Sequence, residues 1–93
     1  MHKRNDTLDK IKYKYLSLHD VSCGVFLRTL WEYYLKSDLE TGDALSDIFY
    51  TLYMSDEHLS YDEIALKYSI GLTTLNRYRQ RFNGLADKLL TIV

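Results

Sequence analysis

Polar side chains that can pair with the edges of nucleic-acid bases recur at helical spacing in the last third of the chain. Arginine can pair bidentately with guanine, asparagine or glutamine can pair with adenine, and an apolar side chain or a threonine methyl group can contact the methyl group of thymine. Residues three or four positions apart lie on one face of a helix. The residues that we expect to contact bases are Leu72, Thr73, Asn76, Arg77 and Gln80.

Three further basic residues are placed to contact phosphate groups, which position a protein on nucleic acid without reading its sequence. They are Lys67, Arg79 and Arg81. An ordinary solvated helix face is the alternative for Arg77, Arg79 and Arg81, and at least one of these three is expected to have only that role because alternate arginines point in different directions around a helix. The same two interpretations, with the solvated face preferred, apply to the N-terminal residues Lys10, Lys12 and Lys14.

The distribution of charge favours a nucleic-acid-binding surface more than the net charge of −1 does. Residues 64–93 carry five basic groups and one acidic group, and no acid occurs between Ile64 and Ala86. Residues 1–18 have a net charge of +3, whereas residues 19–63 carry two basic and ten acidic groups. Clustered positive charge is the electrostatic feature that phosphate binding needs.

The segment that contains these residues has the pattern of two short helices joined by a tight turn. Ser60, with Glu63 three residues later, has the form of a capping box and predicts the start of a helix. Apolar residues then repeat at helical spacing on both sides of an interruption at residues 69–71. Gly71 is the expected turn residue, because glycine adopts backbone angles that other residues resist.

Residues 60–83 resemble the helix-turn-helix of bacterial transcription regulators, including the promoter-reading domain of sigma factors. In that pattern a small residue, here Ala65, lies where the two helices cross. The family usually has glycine where this chain has Ser69 and a capping serine or threonine where it has Gly71, so the turn is expected to be displaced by one residue. The apolar positions of the pattern fall on Ile64, Tyr68, Ile70, Leu75 and Tyr78.

The last third of the chain is also similar to the C-terminal end of ArpU-like phage late-gene regulators, over the runs TTLNRYRQRF and GLADKLLTIV. These resemblances imply a sequence-specific transcription regulator of a phage or mobile element, with double-stranded DNA as its partner. In this motif the second helix, here about residues 72–82, lies in the major groove. The acidic middle of the chain is either an ordinary solubilising surface, which we prefer, or a contact for RNA polymerase.

The whole chain, residues 1–93, is expected to be one all-α domain, a small bundle of about five helices with a C-terminal helix-turn-helix. The absence of proline removes the usual helix breaker. Residues 1–54 are the expected helical support, residues 60–83 the helix-turn-helix and residues 84–93 an extension of the last helix. The expected helices are Asp6–Leu18, Asp20 or Ser22 to Lys36, Asp43–Met54, one starting at Ser60, and Leu72 or Thr73 to Leu90, with polar connections at Ser37–Gly42 and Ser55–Leu59.

Apolar residues at helical spacing identify the expected core. Tyr33 and Tyr34 are adjacent and cannot both face this core, so one of them could reach a partner. The sequence is compatible both with a homodimer and with a monomer that has a plain core. The apolar stripe of the last helix continues across Gly84. The extension over residues 84–93 either packs on the N-terminal helices or forms a dimer seam. The expected core residues are Leu8, Ile11, Tyr15 and Leu18; Val25, Phe26, Leu30, Trp31, Tyr34 and Leu35; Leu45, Ile48, Phe49, Leu52 and Tyr53; and Leu75, Tyr78, Phe82, Leu85 and Leu89.

Other chemistries have little support in the sequence. His19 and Cys23 could share a helix face, but a structural zinc site needs four ligands, and His2 and His58 are isolated. Without a glycine-rich phosphate loop, a spaced carboxylate pair or a Cys-His nucleophile, we expect no enzyme, no cofactor and no metal. A single cysteine fits a reducing cytoplasm, and no apolar run is long enough for a membrane role. The alternative function is a helical protein-interaction or dimerisation module without DNA binding.

Overall fold

Five α-helices make up most of the part of the chain that the structure describes. This computed structural model describes the backbone of residues 7–92 and the side chains of residues 7–90. No strand occurs in that range, and the expected all-α bundle of about five helices is confirmed. Asp6, the expected start of the first helix, lies outside the described residues. The helices are α1 (Thr7–Ser17), α2 (Val21–Thr41), α3 (Leu45–Tyr53), α4 (Tyr61–Lys67) and α5 (Leu72–Ile92).

The second helix, α2, continues past Lys36, where we expected it to end, as far as Thr41. The polar connection predicted over residues 37–42 is therefore wrong. The helix ends where Gly42 adopts a left-handed backbone with a φ of 78° and donates its N–H to the Asp38 carbonyl at 2.8 Å. Glycine is the usual residue at such a position because it has no Cβ to clash. The position of this glycine sets the end of the helix.

Asp38 has a structural role in starting the next helix. Its carboxylate accepts hydrogen bonds from the backbone N–H groups of Leu45 at 3.0 Å and Ser46 at 2.8 Å, in the first turn of α3. The residue that precedes α3, Ala44, provides no side-chain cap of its own. Asp38 therefore satisfies N–H groups that would otherwise lack partners, and it does so from the preceding helix.

The centre of the core is a group of aromatic rings from three helices. Phe82 of α5 lies 4.8 Å from Tyr34 of α2 and 5.2 Å from Phe49 of α3, measured between ring centroids. Tyr53 of α3 packs against both phenylalanines, and we call these four rings the aromatic cluster. Burial raises the pKa of Tyr34 to about 12. Its neighbour Tyr33 is exposed, which confirms that only one of the two tyrosines faces the core.

Three residues that we expected in the core are exposed. Leu18 lies beyond the end of α1, and Val25 and Leu35 lie on the side of α2 that faces away from the core. Leu27, which the expected stripe omits, is completely buried. The long helix α2 is thus apolar on two sides, and the folded chain covers one of them.

The last helix, α5, runs without a break across Gly84 and packs against α1, so its tail contacts the N-terminal helix. Asn83 is completely buried, and its Oδ1 accepts a hydrogen bond from the Leu8 N–H group at 2.8 Å, in the first turn of α1. Its Nδ2 donates to the Arg79 carbonyl at 2.8 Å and to the Tyr53 hydroxyl at 3.3 Å. One buried amide therefore connects α5 to α1 and α3.

Candidate nucleic-acid interface

The outward side of α5 exposes all five residues that the sequence predicts as base contacts. The other side of the helix is buried against the core at Leu75 and Phe82. A helix that is fixed along one side and solvated along the other presents its polar side chains as a rigid row. We call this row the α5 face, and it consists of Leu72, Thr73, Asn76, Arg77 and Gln80.

Arg79 does not reach the α5 face, although the sequence predicts it as a phosphate contact. Its side chain is only 12% exposed, and its guanidinium carbon lies 4.0 Å from the centre of the Tyr61 ring in α4. Its Nη2 lies 3.9 Å from the Asp9 carboxylate in α1, and its Nη1 donates to Asn76 Oδ1 at 3.2 Å. Arg79 therefore joins three helices and orients the amide of Asn76 on the α5 face.

The other two predicted phosphate contacts are exposed. Lys67 ends α4, and its ammonium group lies 3.9 Å from the Glu57 carboxylate. Because both partners are about half exposed, this ion pair holds the lysine only weakly. Arg81 lines a shallow groove of about 340 Å³ between α2 and α5, together with Tyr33 and Lys88. Lys67 and Arg81 can thus reach a phosphate group without breaking a buried contact.

The turn between α4 and α5 is built on Ser69, and the expectation that Gly71 is its special residue is wrong. Ser69 has a left-handed backbone with a φ of 56°, whereas Gly71 does not. The Ser69 N–H donates to the Leu66 carbonyl at 3.1 Å, and the Ile70 N–H donates to the Ala65 carbonyl at 2.9 Å. This pair of bonds is the Schellman arrangement that closes a helix. The left-handed backbone that usually favours glycine therefore falls at Ser69, two residues before Gly71.

Replacing Ser69 with glycine is expected to raise the free energy of unfolding by about 0.5–1 kcal/mol. A side chain on a left-handed residue is strained by about 1–2 kcal/mol, and the greater entropy of glycine in the unfolded chain offsets part of the relief. Urea denaturation of the variant and the wild type, at one chain concentration, measures the difference.

Gly71→Ala is the matched control for this substitution. A Cβ at Gly71 meets no atom within 4 Å, and its φ is not positive, so we expect a neutral or slightly stabilising effect. A Ser69→Gly variant less stable than the wild type would show that Ser69 is not strained.

Side-chain hydrogen bonds hold α4 at both ends. The predicted capping box is confirmed, because the Glu63 N–H donates to Ser60 Oγ at 3.2 Å and the Ser60 N–H donates to Glu63 Oε1 at 2.7 Å. After the last turn, the Tyr68 hydroxyl donates to the Asp47 carbonyl at 3.1 Å and accepts from the Thr51 hydroxyl at 2.6 Å. A helix of seven residues is unstable alone. The capping box stabilises its first turn, and the two bonds of the Tyr68 hydroxyl fix its end against α3.

His19 and Cys23 lie at the N-terminal end of α2 and not on the α5 face. Cys23 is partly buried, and burial, followed by the nearby Asp20 carboxylate, raises the pKa of its thiol. Within residues 7–92, no three His, Cys, Asp or Glu side chains come together in a way that could hold a metal ion. Over the same range, no helix combines the length and the apolar character that crossing a membrane requires.

The fold and the α5 face define a small all-helical protein with a rigid, polar helix face. No protein-family model, no curated protein and no solved structure matches this chain. The function is therefore argued from the residues of the α5 face and from the contacts that hold them in place.

Proposed function

We propose that the protein is a sequence-specific DNA-binding transcription regulator in which α4, the turn after it and α5 act as a helix-turn-helix. The observation that carries this proposal is the α5 face, where side chains suited to contacting base edges are exposed together on one helix whose other side packs on the core. The major groove of DNA admits an α-helix, and α5 enters it with its first turns against the base edges. The hydrogen bonds from Tyr68, the residue after α4, to α3 support this docking by fixing the end of α4.

Each residue of the α5 face has a role that follows from its side chain. Arg77 pairs with O6 and N7 of a guanine, and Asn76 and Gln80 pair with adenines. Leu72 and Thr73, in the first turn of the helix, contact thymine methyl groups. Phosphate contacts come from the exposed Lys67 and Arg81, which position the protein without reading sequence.

The charge of the surface favours docking through this face. No acidic residue occurs between Ile64 and Ala86, and the acid nearest to Arg79, Asp9, pairs with that buried arginine. The ten acidic groups of residues 19–63 belong to α2, α3, the start of α4 and their connections. The acidic groups of α2 and α3 repel DNA from those helices and so favour docking through α5.

Arg77→Ala is expected to weaken duplex binding at least roughly tenfold, because it removes one charge and one bidentate base contact. Fluorescence anisotropy of a labelled duplex at several salt concentrations measures this loss. For a random duplex, the wild type is expected to bind with a Kd of roughly 10⁻⁴ to 10⁻⁶ M, with log affinity falling linearly against log salt. Because Arg77 contacts a base and not a phosphate, the variant is expected to keep a salt slope close to that of the wild type.

Two further variants distinguish a specific contribution of Arg77 from a general effect of positive charge. Lys36→Ala removes the same charge from an exposed position on α2 and is expected to leave the affinity unchanged. Arg77→Lys keeps the charge, so it is expected to retain the salt slope while losing the preference for guanine in selected duplexes. Equal losses in Arg77→Ala and Lys36→Ala, or no binding by the folded wild type at low salt, would contradict the proposal.

A protein-interaction module is the second candidate, and one observation favours it. Four apolar side chains of α2 are exposed on the side away from the core. Such a module binds a partner or a second copy and has no salt-dependent affinity for DNA. The apolar surface by itself is compatible with DNA binding, because these four side chains and the α5 face share no residue.

A further inference from the structure

The outer side of α2 carries a row of residues that the folded chain leaves uncovered. The core side of the helix is already occupied by Leu27, Leu30 and Tyr34, so the fold of one chain does not account for this second row. Its four apolar members are between 41% and 83% exposed. From the N-terminal end the row consists of Val21, Val25, Arg28, Glu32, Leu35 and Leu39, and we call it the α2 seam.

The spacing of the α2 seam is that of one helix packed along another. Its members follow one another at alternating intervals of four and three residues, the pattern that keeps a row between two paired helices. The helix has 21 residues, and at 1.5 Å per residue it is roughly 31 Å long. The longest extent of the molecule is 33 Å. The seam from Val21 to Leu39 is therefore roughly 27 Å long, which is comparable with that extent.

The order of residues along the α2 seam is self-complementary when one of two copies is reversed. Read from either end, it contains two apolar residues, a charged pair and two apolar residues. We propose that α2 packs antiparallel against α2 of a second copy, with the two-fold axis between Arg28 and Glu32. Arg28 then lies opposite Glu32 of the second copy, and symmetry produces this contact twice. The remaining pairs are Val21 with Leu39 and Val25 with Leu35.

The charged pair selects both the partner and its orientation. A parallel arrangement places Arg28 against Arg28 and Glu32 against Glu32, and like charges in a desolvated contact are strongly unfavourable. Within residues 7–92, these two side chains form no ion pair with each other or with other groups. An arginine four residues before a glutamate is also the less favourable order for a pair on one helix. Both charges are thus available to a second copy.

A groove beside the N-terminal half of the α2 seam leaves room for the opposing leucines. It has a volume of about 480 Å³ and lies between α1, α2 and α3, with Val21 and Val25 on one wall and Tyr50 of α3 on another. The antiparallel register brings Leu35 and Leu39 of the second copy to this groove. Their insertion removes apolar surface from water in both copies, which is the main driving force for association.

Reversal of the charge at Arg28 tests the dimer by sedimentation equilibrium. The wild type is expected to form a dimer of twice the 11.0 kDa chain mass. Arg28→Glu is expected to raise the dimer dissociation constant at least roughly tenfold, because two like-charged contacts replace two attractive ones. The double variant Arg28→Glu with Glu32→Arg restores complementarity and is expected to restore the wild-type value.

Lys10→Glu is the matched control, since it makes the same charge change at an exposed position on α1 and is expected to leave the dimer unchanged. Circular dichroism checks that each variant is folded. A wild type that stays monomeric at every concentration, or an Arg28→Glu variant that dimerises as strongly as the wild type, would overturn the proposal. The DNA measurements with Arg77→Ala are separate, so the failure of one proposal leaves the other standing.

Disulfide cross-linking tests the orientation of the two helices. In a Cys23→Ser background, a Val25→Cys chain mixed with a Leu35→Cys chain is expected to form a mixed disulfide on oxidation. Neither chain alone is expected to cross-link, because the two copies of one position lie about 15 Å apart along antiparallel helices, while a disulfide needs Cα atoms within about 7 Å. Cross-linking of the Val25→Cys chain with itself would indicate a parallel seam and overturn the antiparallel register.

Discussion

Phe82→Ala is expected to lower the free energy of unfolding by about 3–5 kcal/mol. The ring is completely buried, and it lies 4.8 Å from the Tyr34 ring and 5.2 Å from the Phe49 ring, which come from two other helices. Alanine leaves a cavity in the centre of the aromatic cluster and removes edge-to-face contacts worth roughly 0.5–1.5 kcal/mol each. Small domains are stable by only about 5–15 kcal/mol, so urea denaturation followed by circular dichroism should show a much lower midpoint.

Two variants control for this loss. Phe82→Leu keeps most of the buried volume and is expected to cost less than half as much as Phe82→Ala. Tyr33→Ala removes an aromatic ring from an exposed position and is expected to change stability by less than about 1 kcal/mol. All chains are compared at one concentration, because dimerisation would otherwise shift the midpoints. If Phe82→Ala were no less stable than Tyr33→Ala, the aromatic cluster would not be the centre of the core.

A comparison of Phe82→Ala with Arg77→Ala distinguishes a loss of DNA affinity caused by unfolding from one caused by the loss of a DNA contact. The ring lies on the buried side of α5, and the other side of the same helix is the α5 face. Phe82→Ala is therefore expected to lose DNA affinity together with helical signal as temperature rises. Arg77→Ala is expected to lose affinity while its unfolding midpoint stays that of the wild type, since exposed side chains contribute little to stability.

Helical periodicity correctly predicted which residues are buried in a helix that has a single apolar stripe. All five expected core residues of α3 are buried, and the Ser60 and Glu63 capping box is present, because both signals are local in sequence. The end of α2 was not predictable in this way. Asp38 stabilises the chain by capping backbone groups seven and eight residues further on, and its polarity alone suggested a loop.

The α5 face shows the same division between local and tertiary signals. The exposure of its five residues follows from the helical spacing of the apolar positions opposite them. The burial of Arg79 depends on Tyr61 and Asp9, which belong to two other helices, so no local pattern could separate this arginine from Arg77 and Arg81. The exposure of Val25 is of the same kind, because a helix with two apolar sides does not reveal which side the fold will cover.

Asn83→Leu is expected to lower the free energy of unfolding by about 2–4 kcal/mol, although leucine has nearly the same size and is apolar. The substitution leaves the Leu8 N–H group and the Tyr53 hydroxyl without the hydrogen bonds that Asn83 makes at 2.8 Å and 3.3 Å. An unsatisfied buried polar group costs about 1–3 kcal/mol. Urea denaturation measures the total loss, and hydrogen exchange should show that amide protection in the first turn of α1 falls more than in α3. Gln80→Leu, at an exposed position of the same helix, is the control and should stay within about 0.5 kcal/mol of the wild type.

A double-mutant cycle with Tyr53→Phe separates the lost hydrogen bonds from a packing defect. Tyr53→Phe removes the hydroxyl that Asn83→Leu would strand, so the double variant should be destabilised by less than the sum of the two single variants. If leucine instead failed to fit between α1, α3 and α5, the two losses would add, because a steric clash does not depend on the hydroxyl group. A sub-additive cycle would therefore assign the role of Asn83 to its amide, which joins the helix of the α5 face to the first turn of α1.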